Sequence, residues 1–463
     1  MSGSLAGEPD SKTLLERLDD EGIHTVRVLF ADQHGLLRGK AISVDALPAA
    51  FERGIGVPGS LLHKDTANTY AIGLWAATGD ETLDELVGAR NVLMKPDPAT
   101  YRSLPWSSGT GVVLSDLETT AGRPIPHATR QLAANALARL GDHGFAFKAG
   151  LELEFHLFRV GEDGQLSHTH PGWDLLGDDT LDRLASFTEP IRAGLVAMGL
   201  GPVSVEAELG PSQVEMTFSP TVGLRVAEDA LLVRMAIKQL ARANGLQASF
   251  MSRPRIEGGG DGFPSGWHLH QSLVDSDRLD APSVFASSDG GPIARVGSSY
   301  VAGLLEHAAA SCLLTTPTVT GYKRYRPQAI APDRISWSPE HRGAMLRLVG
   351  NPGDADTRIE NRVGDPAANP YLYVASQVLS GLDGIERDLT PPDPTEVPYD
   401  AAGGDLLPRS LGDAIEAFST SSLFRKSLGD AIVDYLVALK RSEWNRFQAA
   451  VTDWEQREYF ELY

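Results

Sequence analysis

Four short stretches of this chain place charged or imidazole side chains two residues apart. Glu152 and Glu154 lie in Leu151-Glu-Leu-Glu-Phe155, and Gln213 and Glu215 in Gln213-Val-Glu-Met-Thr-Phe218. His268 and His270 lie in Trp267-His-Leu-His-Gln271, and Arg358, Glu360 and Arg362 in Arg358-Ile-Glu-Asn-Arg362. Residues two apart on a strand share a face, so each stretch reads as a strand with one chemical face and one apolar face. Any one of them alone reads as a half-exposed strand with a solvated polar side. Together they describe a sheet whose second side carries carboxylates, imidazoles and guanidiniums with scarcely any Lys, Ser or Asn between them. Carboxylates at that spacing repel one another unless cations sit among them. A Glu-rich, Cys-free donor set points to Mg²⁺ or Mn²⁺ rather than Zn²⁺.

Arginines supply the complementary signal. Tyr322-Lys-Arg-Tyr-Arg-Pro327 and His341-Arg-Gly-Ala-Met-Leu-Arg347 precede the last acidic strand, and guanidinium forks match phosphate oxygens bidentately. Metals plus arginines are the ingredients of phosphoryl transfer, which needs charge stabilisation more than covalent chemistry. No P-loop and no kinase glycine loop is present. The run Glu257-Gly-Gly-Gly-Asp-Gly262 reads as a flexible loop ahead of the His268 strand rather than a phosphate cradle.

The elements that must position these residues follow from periodicity. Helices are predicted at Ala128–Leu140, Asp182–Met198, Ala227–Asn244, Ser298–Thr315 and Pro370–Glu386, with a helical stretch from Leu411 to Glu458. Strands are predicted at Phe145–Arg159, Val203–Glu208, Val214–Phe218, Gly266–Val274, Met345–Val349 and Arg358–Val363. Strands interleaved with helices without strict alternation predict an α+β catalytic domain built on an antiparallel sheet. Before it, a short helix from Thr13 leads to a strand at His24–Phe30, a tight turn at Asp32–Gly35 and a strand at Leu36–Ile42. The loop at 106–111 predicts a domain boundary, giving domains at 13–106 and 107–463, with Val112–Leu117 as the first strand of the larger one. Residues Met1–Lys12 read as a disordered start.

Composition narrows the partners. The chain has 463 residues, 42% hydrophobic and 22% charged, and a formal net charge of -20. That balance excludes a nucleic-acid backbone as partner, which requires clustered positive charge, but leaves room for a nucleotide held by a local arginine group. Cys312 is the single cysteine and lies in an apolar helical stretch, so it reads as a buried small hydrophobe in a reducing compartment. The first thirty residues show no basic start followed by an apolar run, and no stretch has membrane-spanning length. A cytoplasmic enzyme without a membrane partner is the expectation.

The motifs resemble the glutamine synthetase superfamily, type I, over nearly the whole chain. Gly150-Leu-Glu-Leu-Glu-Phe-His-Leu-Phe158 is similar to the family's G-P-E-x-E-F-x-L-F strand. Glu208-Leu-Gly-Pro-Ser-Gln-Val-Glu215 is similar to E-x-x-P-G-Q-x-E. Phe250-Met-Ser-Arg-Pro254 with Ser265-Gly-Trp-His-Leu-His-Gln-Ser-Leu273 resembles F-M-P-K-P…S-G-M-H-x-H-x-S-L. Residues Arg358 to Leu372 resemble R-I-E-x-R…D-P-A-A-N-P-Y-L.

The resemblance implies a small N-terminal β-grasp domain and a large C-terminal catalytic domain whose curved antiparallel sheet is flanked by helices. It implies that Glu154, Glu208 and Glu215 hold the metal nearer the amino acid, and that Glu152, His268 and Glu360 hold the metal between the ATP phosphates. Arg324 and Arg362 would bind glutamate, with Gly266 beside it, and Arg342, Arg347 and Arg358 would neutralise phosphates. His270 and Ser272 would line the nucleotide side. Arg342, Arg362 and Glu208 are the candidates for direct catalytic roles, Glu208 as a base. The implied chemistry phosphorylates the side-chain carboxylate of glutamate from ATP, and an amine then displaces phosphate. The family also implies a dodecamer of two hexameric rings, in which a loop of one subunit completes its neighbour's site.

Four places depart from the ammonia-using pattern, one of them the loop Phe263-Pro-Ser-Gly-Trp-His268 where the family reads N-G-S-G-M-H. Val57-Pro-Gly-Ser-Leu61 puts Pro58 where an ammonium-binding Asp stands, Ala329-Ile-Ala-Pro332 puts Ile330 at the flap Glu, and Trp173 replaces an aromatic Tyr. Ammonium is strongly hydrated and needs anionic partners to replace its water, so the pocket is expected to take a carbon-bearing amine, ethanolamine ahead of a polyamine. Ordinary glutamine synthesis and a catalytically silent structural or regulatory paralogue stay open as alternatives.

Overall fold

A computed structural model describes residues 10–75, 79, 81–257, 262–288, 290–326 and 330–463. The polar start up to residue 9 and the centre of the glycine run, 258–261, lie outside the described residues; Ser11 and Lys12, expected to be disordered, open a helix, Ser11–Asp20, capped by the Asp10 side chain.

Two sheets organise the chain. The smaller has six strands. Its hairpin joins Thr25–Ala31 to Leu37–Ser43, and the turn is fixed by the Asp32 carboxylate, which accepts from the His34 and Leu36 backbone N–H groups. Gly35 in that turn has φ +71, and a Cβ there would come within 2.8 Å of the Asn369 Cα, so only glycine allows the hairpin to seat against the catalytic half.

The strand expected to open the larger domain belongs to this small sheet instead. It runs Thr110–Thr119, pairing in parallel with Thr25–Ala31 and antiparallel with Asn91–Pro96. Its alternation explains the placement: Val113 and Leu117 enter the core of the N-terminal unit while Val112 and Leu114 enter the large core. A loop at 105–109 therefore joins two strands of the same small sheet, Arg102–Ser103 and Thr110–Thr119.

The larger sheet has ten strands, and the 16-residue Phe145–Val160 is its spine. Trp267–Asp275 pairs along one edge of the spine and Gln213–Thr217 along the other. Ser204–Ala207 extends the sheet beyond Gln213–Thr217, and Arg358–Asn361, Leu346–Val349 and Trp337–Pro339 extend it on the opposite side. The spine and its flanking and outer neighbours pair antiparallel; the terminal pair, Trp337–Pro339 with Leu346–Val349, is parallel. Leu151, Leu153, Phe155, Val214, Met216, Leu269 and Ile359 all point to one side and are buried under helices. Pro370–Glu386, buried on almost every side, is the central helix of that layer; Asn369 caps it and Pro370 occupies its first turn.

Two long helical predictions are interrupted. Ser298–Thr315 is two helices, Arg295–Glu306 and Ala308–Thr315, broken at His307, whose Nε2 lies 2.7 Å from Asp383 Oδ2 on the central helix. The C-terminal stretch is four helices, Leu411–Ser419, Ser422–Leu428, Asp430–Ala449 and Asp453–Tyr459. Ser421 and Thr452 act as N-caps, and Gly429 turns the chain at φ +95. Cys312 is fully buried, and burial pushes its thiol up to about 12. No helix among the described residues is long and apolar enough to cross a membrane.

Candidate active site

Strand register converts the two-residue spacing into rows. Across the face opposite the apolar core, Glu206 pairs with Glu215, and Glu215 with Glu154. In the next row, Thr217 pairs with Glu152 and Glu152 with His268. In the third, His270 pairs with Glu360 and Glu360 with Arg347. Cross-strand partners project on the same side of a sheet at a Cβ separation of about 5 Å. Three rows from six strands therefore crowd five carboxylates and two imidazoles onto one patch.

Side-chain contacts tighten the patch. His268 Nδ1 lies 2.5 Å from Glu152 Oε1 and 3.7 Å from Glu360 Oε1, while its Nε2 lies 3.8 Å from Glu154 Oε1. His270 Nε2 lies 3.0 Å from Glu152 Oε2, and Arg358 Nε donates to His270 Nδ1 at 3.1 Å. Two sets of potential ligand atoms fall within 4.8 Å of one another: Glu152, Glu215 and His268, and Glu152, His270 and Glu360. The second set adds His270, expected on the nucleotide side, to the expected ligands. Glu208 faces the same cavity as Glu154 and Glu215 but falls outside these two tight sets.

The electrostatics show a cluster short of positive charge on one side. Burial, then the charges of Glu152, Glu154 and Glu208, push the Glu215 carboxyl up to about 11. Burial and Glu208 push Glu154 up to about 8, and burial raises Glu208 as well. On the other side burial is outweighed. The Arg362 guanidinium and His268 hold Glu360 below its ordinary range, and His268 with His270 do the same for Glu152. Buried oxygen ligands that keep their protons for want of a counter-charge, beside a Glu/His donor set, fit a divalent cation at each group.

Glu154 is held in place by Gln213 and Gly266. Its Oε2 accepts from Gln213 Nε2 at 2.7 Å and from the Gly266 backbone N–H at 3.0 Å, and Gln213 also donates to Pro264 O and Ser265 Oγ. A Cβ on Gly266 would meet His268 Nε2 at 2.7 Å and Arg324 Nη2 at 2.9 Å, so glycine is required where those groups converge.

These groups open onto a cavity of about 980 Å³ that also receives Arg324, Arg342, Arg347 and Arg362. Arg324 is 2% exposed and donates through Nη1 to Val363 O and Gly364 O, leaving its other end directed toward Gly266. Arg347 donates to Glu360 and Glu340, and Arg362 donates to Glu360. A neighbouring cavity of about 450 Å³ shares Glu152 and is lined by His270, Ser272, Arg358 and Lys148.

Exposed apolar side chains line part of the larger cavity: Trp173 (φ +69), which packs its indole edge-on against Phe263 with ring centroids 5.8 Å apart, and Leu175, Leu176 and Ile330; the exposed Lys323 and Arg326 line it as well. Pro58 is elsewhere: it ends the edge strand Ile55–Pro58 of the small sheet and lines neither cavity. Sequence reasoning missed Glu206 and the role of Gln213 as a carboxylate anchor, and it marked Phe263 only as the start of a loop that departs from the family. Alternation within Val203–Glu208 carried a signal for Glu206, which shares a face with Glu208.

A sequence profile of the glutamine synthetase catalytic domain matches residues 126–459. The chain belongs to the glutamine synthetase family. It is 40% identical to the γ-glutamylanilide synthase of an Acinetobacter species over 97% of this chain and 95% of that protein. A γ-glutamylethanolamide synthetase of Streptomyces coelicolor is 32% identical over 95% and 93% of the two chains, and a glutamine synthetase of Halobacterium salinarum is 30% identical over 100% and 99%. A solved ligand-free GmaS superposes with a TM-score of 0.81 at 27% identity, covering 97% of this chain and 99% of that one. The α+β architecture is thus the glutamine synthetase fold, and the protein is an ATP-dependent carbon–nitrogen ligase of a family that uses glutamate, ATP, an amine and divalent metals.

Proposed function

We propose that this ligase joins the γ-carboxylate of glutamate to a primary amine that carries an apolar, aromatic body. The observation that carries this reading is a carboxylate–imidazole–arginine patch sharing one cavity with the Trp173–Phe263 pair and Ile330. An arylamine is uncharged at neutral pH and needs no anionic pocket to replace water, which accounts for Ile330 and Pro58 where carboxylates are expected for ammonium. The relative named for an anilide product, at 40% identity, supports an arylamine ahead of the ethanolamine expected from sequence. Ethanolamine is the second reading, supported by the 32% relative named for that product.

In the proposed reaction Arg324 anchors the α-carboxylate of glutamate, and Arg362 lies against the γ-carboxylate. Arg342, Arg347 and Arg358 offset the charge that spreads over the transferring phosphoryl group. Two divalent ions, Mg²⁺ or Mn²⁺, would be held by Glu154, Glu208 and Glu215 and by Glu152, His268 and Glu360, with His270 adjacent. When bound they neutralise phosphate oxygens and lower the carboxyl groups of Glu154 and Glu215 into their ionised state. The γ-carboxylate oxygen of glutamate forms a bond to the γ-phosphorus as ADP leaves. The amine nitrogen then bonds to the acyl carbon, the carbon–oxygen bond to phosphate breaks, and the extra proton on nitrogen passes to Glu208 or Glu206. The loop bearing Pro58 would serve the site of a neighbouring subunit in a cytoplasmic ring assembly, the expected dodecamer.

Phosphate release from ATP with glutamate and a panel of aniline, ethanolamine, putrescine and ammonia tests the reading. Aniline is expected to give the highest kcat/KM. Robust ammonia turnover without amine preference would return the protein to ordinary glutamine synthesis, and no turnover with any amine would mark a silent paralogue.

A further inference from the structure

The turn that carries Trp173 is held from behind. Its indole is 75% exposed, with Phe263 as its ring partner, so burial of the side chain fixes little of it. The backbone is strained as well: Gly172, Trp173 and Leu176 have φ of +78, +69 and +56, and non-glycine residues persist there only where their surroundings over-determine them. The segment 209–213 supplies those surroundings. Trp173 N–H donates to Leu209 O at 2.7 Å, and Ser212 N–H to His170 O at 3.1 Å. A Cβ on Gly172 would come within 2.6 Å of Pro211 N, so the turn lies flush on that segment. His170 is 4% exposed; its Nδ1 accepts from Gly172 N–H and its Nε2 donates to Gln213 O, each at 3.1 Å. Gly172 N–H can only donate and Gln213 O can only accept, so the ring is neutral with its proton on Nε2, and burial keeps charge off it. Ser212 is fully buried; its hydroxyl accepts from Thr169 N–H at 3.0 Å and bonds His168 Nδ1 at 2.9 Å. Ser212 itself has φ +63, and the family motif it falls in carries glycine at that position. A strained serine thus stands where glycine would be at ease, and the hydroxyl it adds bonds the base of the turn.

The same segment reaches the acidic patch. Gln213, next to Ser212, donates to Glu154 Oε2 at 2.7 Å and accepts from Gly210 N–H at 2.8 Å. Phe263 closes over it, since a Cβ on Gly210 would meet Phe263 Cβ at 2.5 Å. One short stretch therefore touches the Trp173 turn on one side and a carboxylate of the patch on the other. Neither His170 nor Ser212 lines the larger cavity or its neighbour, so an effect of either on the amine has to pass through the turn. We propose that His170 and Ser212 are positioning residues for the amine substrate: they fix the Trp173 turn against the segment that holds Glu154, so that the aromatic wall stands at a set distance from the reacting groups. The clamp acts on the backbone and leaves the exposed indole to rotate about its own side-chain bonds. The inference rests on the reading of Trp173 as part of the amine pocket.

Full-length Ser212→Gly, His170→Leu, His170→Asn and Trp173→Ala, assayed by initial rates and by amide hydrogen exchange, test it. Ser212→Gly removes the hydroxyl and puts at φ +63 the residue that adopts it freely, so the question stays answerable if His170→Leu fails to fold. Both variants are expected to raise KM for aniline about 3- to 10-fold, the worth of one hydrogen bond. Both are expected to leave KM for glutamate and ATP unchanged and to speed exchange across 169–177. His170→Asn, whose carbonyl can accept from Gly172 N–H as in an Asx-turn, is expected to recover part of the aniline KM. In a Trp173→Ala background the effect of Ser212→Gly on aniline is expected to vanish, because the two act as one unit. Unchanged exchange across 169–177, a KM raised equally for all three substrates, or a Ser212→Gly effect that persists in full without the indole overturns the proposal. No turnover of aniline by the parent, or a Trp173→Ala variant with the parent's KM for it, refutes the arylamine reading alone. Exchange then decides the clamp by itself: faster in Ser212→Gly upholds it, unchanged overturns it.

Discussion

Replacing Glu215 with Gln is expected to move stability in opposite directions with and without metal. In the metal-free fold Glu215 holds its proton up to about pH 11, whereas in the unfolded chain it releases it near the ordinary 4.5. Between those values the folded state binds more protons than the unfolded one, so stability falls as pH rises. Each pH unit in that window costs about 1.4 kcal/mol, and by neutral pH Glu215 alone costs the metal-free protein on the order of 3 kcal/mol. Glu154, pushed up to about 8 by burial and Glu208, adds to the same slope from the ordinary range up to its folded value. The two are neighbours across the sheet and their costs do not simply add. Glu215→Gln removes the ionisation and keeps the shape. The metal-free variant is therefore expected to melt higher than the parent at neutral pH and to lose much of the decline between about pH 5 and 8. With excess Mg²⁺ or Mn²⁺ the order reverses, because the parent gains RT ln(1 + [M]/Kd) and the variant has lost a charged ligand. Thermal unfolding in chelator and in metal, at several pH values, gives the four quantities. A variant destabilised equally in both conditions, or stabilised by metal as strongly as the parent, would refute the account of why these carboxylates are clustered.

Gln213→Leu should lower metal affinity about 10- to 100-fold, the usual cost of losing the group that orients a ligand, since Gln213 fixes the Glu154 Oε2 from the side; metal titration of the folded variant checks it. Phe263→Ala should raise KM for aniline about 3- to 10-fold by losing an edge-to-face partner worth about 0.5–1.5 kcal/mol, while leaving KM for glutamate unchanged, which initial-rate kinetics with each substrate varied would read.

Much of the site was legible because β-structure has a period of two. Glu152 with Glu154, His268 with His270 and Glu360 with Arg362 declared a shared face before any pairing was known. The rows did not declare themselves. Whether Glu152 stands opposite His268 or two residues away is set by register between strands more than a hundred residues apart, and no local pattern encodes it. Alternation puts Glu206 on the face of Glu208, but only its pairing with Glu215 brings it to the patch. The misplaced strand Thr110–Thr119 shows a second limit. Both its faces are apolar because each meets a different core, and a run without alternation does not say to which sheet it belongs. Helix ends failed where a single residue intervenes, at His307 and Gly429, each of which satisfies the helical spacing while its backbone departs from it.

That same strand, wedged with alternate residues in two hydrophobic interiors, has a mechanical consequence. A protein whose halves swing apart to admit substrate must be able to peel one interior from the other, and here Val112 and Leu114 are riveted into one while Val113 and Leu117 are riveted into its neighbour. Bending at this seam would expose apolar side chains on both sides at once. Entry and exit therefore fall to the rim of the reaction chamber, to the turn carrying Trp173 and the segment carrying Ile330, both of which stand on backbone with positive φ and exposed side chains.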